Sequence, residues 1–330
     1  MKVIEITRPG GPEVLQIAER PRPAPGDGEI LIRVEAAGVN RPDVQQRRGL
    51  YPPPPDASDI PGLDVAGRVE ALGPGVTSFA PGDRVCALVN GGGYAEYCTV
   101  SALQAMPYPE GFTSVQAASL PEVFFTAWNT MIWLGRLGEG ETLLIQGGTS
   151  GVGLAAMQIA RALRGARVFV TAGNAEKRAF CREFGAEGAV DYHDADWPAQ
   201  IRALAGERGV DLVLDGQAGP YTQQQLDLLN PDGRVVLLAS HLGEFAEVNV
   251  RAIVRRRLTL TGATLRPRSA EYKGRIASSL VREVWPLLAS GAIKTHICKV
   301  FAWSDVRAAH AFMDANEQIG KVVLDFSRDA

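Results

Sequence analysis

Histidine and cysteine are scarce in this chain, with four of each in 330 residues. Cys86, Cys98, Cys181 and Cys298 stand far apart and form no CxxC pair. That spacing excludes a disulfide frame and reads as the reduced thiols of a cytoplasmic protein. His193, His296 and His310 have no ligand spacing, whereas zinc needs about four N or S donors at suitable intervals. No metal is expected. Neither charge dominates: 34 Lys and Arg stand against 37 Asp and Glu, a net charge of −3. Without a basic excess, nucleic acid is not an expected partner. No apolar run approaches the roughly 20 residues of a membrane span. The opening MKVIEITRPG alternates like a strand and lacks the apolar block of a signal peptide. Internal repeats are absent, and the one low-complexity tract is Pro52-Pro53-Pro54-Pro55.

The chain is long enough for two domains with real cores. Up to about residue 120 it reads as short strands: 2–6, 15–19, 29–37, 65–71, 84–88 and 94–100. Clusters such as Pro25-Gly26-Asp27-Gly28 and Gly91-Gly92-Gly93 separate them, a pattern of a small barrel-like domain. From Ser114 the texture becomes helical, and strands then alternate with helices as far as residue 261. The count predicts a six-stranded doubly wound sheet. Residues 270–289 read as helix interrupted by Pro286. The tail reads strand, helix, strand and is expected to return to the first domain.

The chain is organised around Glu141–Thr171, ETLLIQGGTSGVGLAAMQIARALRGARVFVT. A buried strand, a glycine turn (Gly147–Gly153), a helix and a second strand succeed one another, the unit that holds a dinucleotide. Glycine permits the tight turn and the approach of a diphosphate to the backbone. The helix start offers unpaired N–H groups and a positive dipole end, so Ser150, Gly151 and Val152 would form the cradle. The spacing is G-x-x-G-x-G rather than G-x-G-x-x-G, and an ordinary glycine-rich turn is the competing reading. An NAD site places an acid after the second strand. Here Thr171-Ala172-Gly173-Asn174 has none, and Lys177 and Arg178 follow. One lysine beside a 2′-phosphate is worth roughly 1–4 kcal/mol per unit charge, about one to three powers of ten in affinity. NADPH is expected over NADH.

Several stretches resemble the medium-chain dehydrogenase/reductase superfamily, in particular its zinc-free, zeta-crystallin-type quinone oxidoreductases and among them the tumour-suppressor-inducible branch. They are Gly10-Gly11-Pro12-Glu13, Gly38–Asp43, Pro61–Gly67, Leu120-Pro121-Glu122, Gly147–Gly153 and Ile319–Leu324. The resemblance implies a GroES-like β-barrel domain over 1–121, completed by 291–330, and a Rossmann NADPH domain over 122–290. It implies a homodimer or tetramer, often paired edge to edge through the last Rossmann strand. Zinc-dependent relatives hold metal with a cysteine, a His-Glu pair and a further ligand. At those positions this chain has Asn40, Leu63-Asp64 and Glu122.

Without a Lewis acid nothing would stabilise an alkoxide, so hydride must go to an electron-poor acceptor. A quinone is the first expectation and an activated enone the second. A non-catalytic nucleotide-binding or structural protein is the reading from another class. Asn40 would hydrogen-bond a carbonyl or the cofactor, Asp43 would orient Asn40 or a water, and Tyr51 would stack on the substrate or hydrogen-bond its oxygen. The bland readings are a helix cap for Asp43 and loop packing for Tyr51. On the cofactor side the resemblance places Gly173, Asn174, Lys177 and Tyr192 at the 2′-phosphate. It places Ser240 and His241 near the nicotinamide ribose, with Leu265, Arg266 and Asn316 as further contacts.

Overall fold

The computed structural model describes residues 1–329. It divides into two compact units, Met1–Phe125 with Leu265–Ala330, and Thr126–Thr264.

In the first unit β1 (Lys2–Ile6) and β2 (Leu15–Glu19) form an antiparallel pair. A larger sheet is built on β3 (Glu29–Val39), with β4 (Asp64–Leu72), β5 (Arg84–Leu88), β6 (Tyr97–Ser101) and β7 (Ala105–Pro107). The apolar run Ile30-Leu31-Ile32 is buried throughout, which is why β3 sits centrally, pairing with β4 along one edge and β6 along part of the other. The short strand β7, unannounced in the sequence, closes on β5.

The second unit is one parallel sheet: β8 (Thr142–Gln146), β9 (Arg167–Thr171), β10 (Gly188–Val190), β11 (Val210–Asp215), β12 (Leu229–Leu237) and β13 (Thr259–Gly262). Their order is β10-β9-β8-β11-β12-β13, the doubly wound Rossmann sheet. Its central strands are near-continuous apolar runs because helices cover both faces of such a sheet. All five residues of β8 are buried. The helix Gly151–Arg164 buries Leu154, Met157 and Ile159, each worth roughly 1.5–3 kcal/mol. Gly165 ends it in the left-handed conformation, φ 56°.

The tail returns to the first unit as expected. The last two strands, β14 (Ile297–Ala302) and β15 (Lys321–Asp325), are parallel to each other. Strand β15 runs antiparallel to β3, with Val322 opposite Val39. The stretch 270–289, expected with the Rossmann domain, packs in the first unit instead. It forms two helices, Ala270–Glu283 and Trp285–Ala289. A Cβ on Gly274 would lie 2.9 Å from that of Leu103, and the Trp285 indole donates to Pro107 O at 2.7 Å.

Candidate active site

In the second unit the glycine turn is fixed from below by Thr171. Its Oγ accepts from Gly147 N at 3.1 Å and donates to Gln146 Oε1 at 2.6 Å. Gly147 takes φ +83°, a left-handed turn that a side chain disfavours. Ser150 caps the helix, its Oγ accepting from Gly153 N at 3.0 Å. Gly153 admits no side chain, since a Cβ would stand 2.7 Å from Gly147 O and 2.8 Å from Gly148 O. The N–H groups of Gly151 and Val152 open the helix with no turn before them to bond. The glycine turn therefore lies at the carboxyl end of β8, the switch point of the sheet, where such sheets bind ligands.

Gly173, Asn174, Lys177 and Tyr192 come together at the end of β9. A Cβ on Gly173 would collide with the Tyr192 hydroxyl. The Asn174 side-chain oxygen caps the helix Ala175–Phe184 by accepting from Lys177 N at 2.8 Å, which leaves its NH2 as the group able to donate. Arg178 is committed elsewhere, to an ion pair with Asp191. The Asp191 carboxyl is held below its usual range by the His193 backbone N–H first, and also by Arg178. The acid beyond β10 is thus occupied. Ser240 and His241 follow β12 and are exposed, with His241 N donating to Gly216 O at 3.2 Å. Asp215, unremarked in the sequence, is buried beneath them and accepts from Gln217 N and Ala218 N at 2.7 and 2.9 Å.

In the first unit, pairing of β3 with β15 and β4 brings Asn40, Asp64 and Lys321 into one buried cluster. The Lys321 ammonium donates to Asn40 Oδ1 at 2.5 Å and to Asp64 Oδ2 at 2.7 Å. Asn40 Nδ2 donates to Asp64 Oδ2 at 2.9 Å, and Glu122 N to Asp64 Oδ1 at 2.5 Å. Gly38 makes room, since a Cβ there would stand 2.5 Å from Asp64 Oδ2. Asn40, expected to meet a carbonyl or the cofactor, thus has both amide ends engaged and one N–H left to offer. Asp43 is fully buried at the third position of the helix Arg41–Arg47. Its carboxylate accepts from Asn40 N at 2.8 Å and Gly62 N at 3.1 Å. Burial raises its pKa to about 6, with these backbone N–H groups opposing. That geometry is the cap, with the added task of tying the Gly62 loop to the helix.

A second buried network escaped the sequence because its members are far apart in the chain. The Tyr94 hydroxyl lies 3.4 Å from Asp43 Oδ2 and 3.3 Å from His310 Nε2. Arg47 Nη1 lies 3.3 Å from His310 Nδ1 and pairs with Asp314 at 2.7 Å. Burial first, then Arg47, lowers the His310 pKa to about 3. Arg266 stands over the ring of Tyr51, with 5.2 Å from Cζ to the centroid, so these two expected residues meet. Leu265 precedes it, half-buried. Asn316 is apart, exposed at φ +56° and accepting from Arg41 at 3.5 Å.

Comparison with known proteins identifies the family. Residues 26–110 match the alcohol dehydrogenase GroES-like domain, and 151–281 the family described as zinc-binding dehydrogenase. Quinone oxidoreductase from Rattus norvegicus is 32% identical over 327 residues, 98% of this chain and 97% of that protein. Synaptic vesicle membrane protein VAT-1 homolog from Homo sapiens is 32% identical over 340 residues, 98% and 86% of the two chains. Escherichia coli quinone oxidoreductase, solved in complex with NADPH, superposes with a TM-score of 0.86 at 28% identity, covering 98% of this chain and 100% of that one. The chain belongs to the medium-chain dehydrogenase/reductase superfamily, as an oxidoreductase of the quinone-oxidoreductase type.

Proposed function

We propose that the protein transfers hydride from NADPH to a quinone, with no metal in the reaction. The observation that carries this reading is the Lys321 ammonium seated between Asn40 and Asp64. By the sequence resemblance Asn40 and Asp64 fall at positions that match the metal-site residues of zinc-dependent relatives, and here a protein cation is bonded to both. An acceptor that delocalises its own charge then suits the site better than an unactivated ketone.

The turn suits the cofactor: it is lined by backbone, and a Cβ on Gly153 would collide with Gly147 O and Gly148 O and push the helix off the turn. Ser150, Gly151 and Val152 would hold the diphosphate through N–H groups and the helix dipole. Lys177, Asn174 and Tyr192 would surround the 2′-phosphate, and Ser240 and His241 the nicotinamide ribose. NADPH, when bound, supplies the hydride. Asn40 has one amide N–H to orient a bound group, while Lys321, Asp64 and Asp43 keep Asn40 in place.

The four cysteines are free thiols, in keeping with a reducing, cytoplasmic setting, and no described helix is long and apolar enough to cross a membrane. Strand β13 is one edge of its sheet. Leu260 on it is exposed, as are Val250 and Val254 on the preceding helix. Pairing of two such edges in a homodimer would cover them, and sedimentation should then give twice 35.3 kDa.

The test is NADPH oxidation with an ortho-quinone and an enone side by side, with NADH as control and chelator present. Quinone turnover dependent on NADPH and indifferent to chelator is expected. Turnover of the enone alone would move the protein to C=C reduction. Tight NADPH binding with no turnover would favour a non-catalytic role, and activity restored by zinc would overturn the metal-free reading.

A further inference from the structure

Among the described residues five cationic side chains are buried: Arg47, Arg234, Arg266, Lys273 and Lys321. Three of them pair with carboxylates: Arg47 with Asp314 at 2.7 Å, Arg234 with Glu141 at 2.6 Å and Lys321 with Asp64 at 2.7 Å. Arg266 and Lys273 lie together in the first unit and, among the described residues, neither forms an ion pair. Lys273 is fully buried and its Nζ donates to Asn90 Oδ1 at 2.5 Å and to Arg266 O at 3.1 Å. Arg266 is 5% exposed. Its Nε donates to Asn90 O at 2.9 Å, but Nη1 and Nη2 are buried with no hydrogen-bond partner.

An ion removed from water without a partner costs several kcal/mol, and two adjacent ones of like charge cost more. Burial lowers the pKa of both, that of Lys273 to about 8 with Arg266 adding to the effect. The direct contacts are neutral: the carbonyl and side chain of Asn90, and the Arg266 carbonyl gripped by Lys273. Asp43 acts on Arg266 through space only, so no anion is bonded in the site. Its flat partner is Tyr51, whose ring lies beneath the guanidinium.

We propose that the two unpaired Nη groups of Arg266, seated over Tyr51, donate to the oxygen of a conjugated acceptor as that oxygen becomes negative. The inference rests on the hydride-transfer function proposed above and supplies the electrophile that function needs. Hydride adds to the conjugated acceptor, its π bond breaks, and the electron pair comes to rest on the carbonyl oxygen as a hydroquinone monoanion or enolate. The guanidinium donates two N–H bonds to that oxygen and keeps its own protons. Water then protonates the oxygen, completing the two-electron reduction. Lys273 and Asn90 act as positioning residues, fixing the guanidinium without occupying its outer nitrogens. A donor pair aimed at developing charge needs no permanent counterion, which accounts for the missing carboxylate.

The same two N–H groups could take a cofactor phosphate, and the test separates the sources. Arg266→Met and Arg266→Lys are made in the full chain. With quinone, Arg266→Met should lower kcat by about 10²–10³-fold, the loss typical of an oxyanion donor, and Arg266→Lys should recover part of it. The NADPH Kd, read by fluorescence, should change far less than kcat, although the resemblance makes Arg266 a cofactor contact. The thermal midpoint of Arg266→Met should match or exceed wild type, because an unpaired buried charge has been removed. 4-Nitrophenol, added to protein saturated with NADP⁺, should ionise at a lower pH than in solution, and Arg266→Met should abolish that shift. A raised NADPH Kd with unchanged kcat would assign Arg266 to the cofactor. A lower thermal midpoint with an unaltered phenol titration would make it structural. Either result overturns the proposal, as does a wild-type protein that leaves the phenol unshifted. Failure of wild type to reduce any quinone or enone would instead sink the function itself, and the phenol titration reads the anion site independently of it.

Discussion

Replacing Lys321 by Met would leave Asp64 buried, charged and short of its ammonium. Asp64 is wholly inaccessible and the lysine 5% exposed, so water cannot take the place of the lost partner. Asn40 Nδ2 and Glu122 N would still donate to the carboxylate, but neither carries charge. Breaking one side of such a pair costs roughly 3–5 kcal/mol. For a unit of this size each kcal/mol moves the thermal midpoint by about 2–4 °C, so Lys321→Met should melt about 6–20 °C below wild type. The double variant Asp64→Leu, Lys321→Met removes both charges together and should regain most of the loss. Thermal unfolding of wild type, the two single variants and the double variant measures the coupling directly. A single variant within about 1 kcal/mol of wild type, the range of an exposed pair, would refute the reasoning. So would a double variant no more stable than Lys321→Met.

Two further outcomes follow from the same geometry. His310 is held neutral, with a pKa near 3 against an unperturbed 6.5. Below about pH 6.5 the unfolded chain therefore binds a proton that the native state refuses, and stability falls with pH by about 1.4 kcal/mol per unit. Asp43, raised to about 6, has the opposite sign between pH 4 and 6: the native state binds the extra proton and stability falls as pH rises. His310→Gln removes only the first effect, so denaturant titrations should show the variant gaining on wild type as pH drops from 6.5 to 4. A constant difference across that range would refute the assignment. Lys177→Ala should weaken NADPH by about one to three powers of ten and leave NADH unchanged; equal losses for both cofactors in a binding titration would move the 2′-phosphate elsewhere.

The Rossmann unit was legible because its signals are local. Strand β8, the glycine turn and the helix after it lie within thirty-one successive residues, and each needs only its neighbours to make sense. The first unit was less so. Asn40, Asp64 and Lys321 are 281 residues apart at their widest, and no periodicity links them. They meet because β15 lies against β3 with Val322 opposite Val39, and β4 with Asp64 opposite Gly38. The motifs Pro61–Gly67 and Ile319–Leu324 contained the right residues without showing that they touch. Tyr94, His310 and Arg47 had no motif at all. The helix Ala270–Glu283 was legible as a helix, but helical periodicity marks an apolar face and does not name what covers it.

The contrast between Lys321 and Arg266 shows what burial alone cannot say. Both are cations 5% exposed in the same unit, and a burial profile treats them alike. The lysine has an anion and an amide oxygen against its ammonium, so its charge is neutralised before any ligand arrives. Its loss should be felt in stability. The arginine has a backbone carbonyl at Nε and no hydrogen-bond partner at either Nη, so the folded chain leaves those donors unmet. Removing it relieves the native state and penalises only a state that brings negative oxygen to it. Opposite signs of the thermal shift in Lys321→Met and Arg266→Met are therefore the sharpest consequence of the structure, since a purely structural role for both residues requires the same sign.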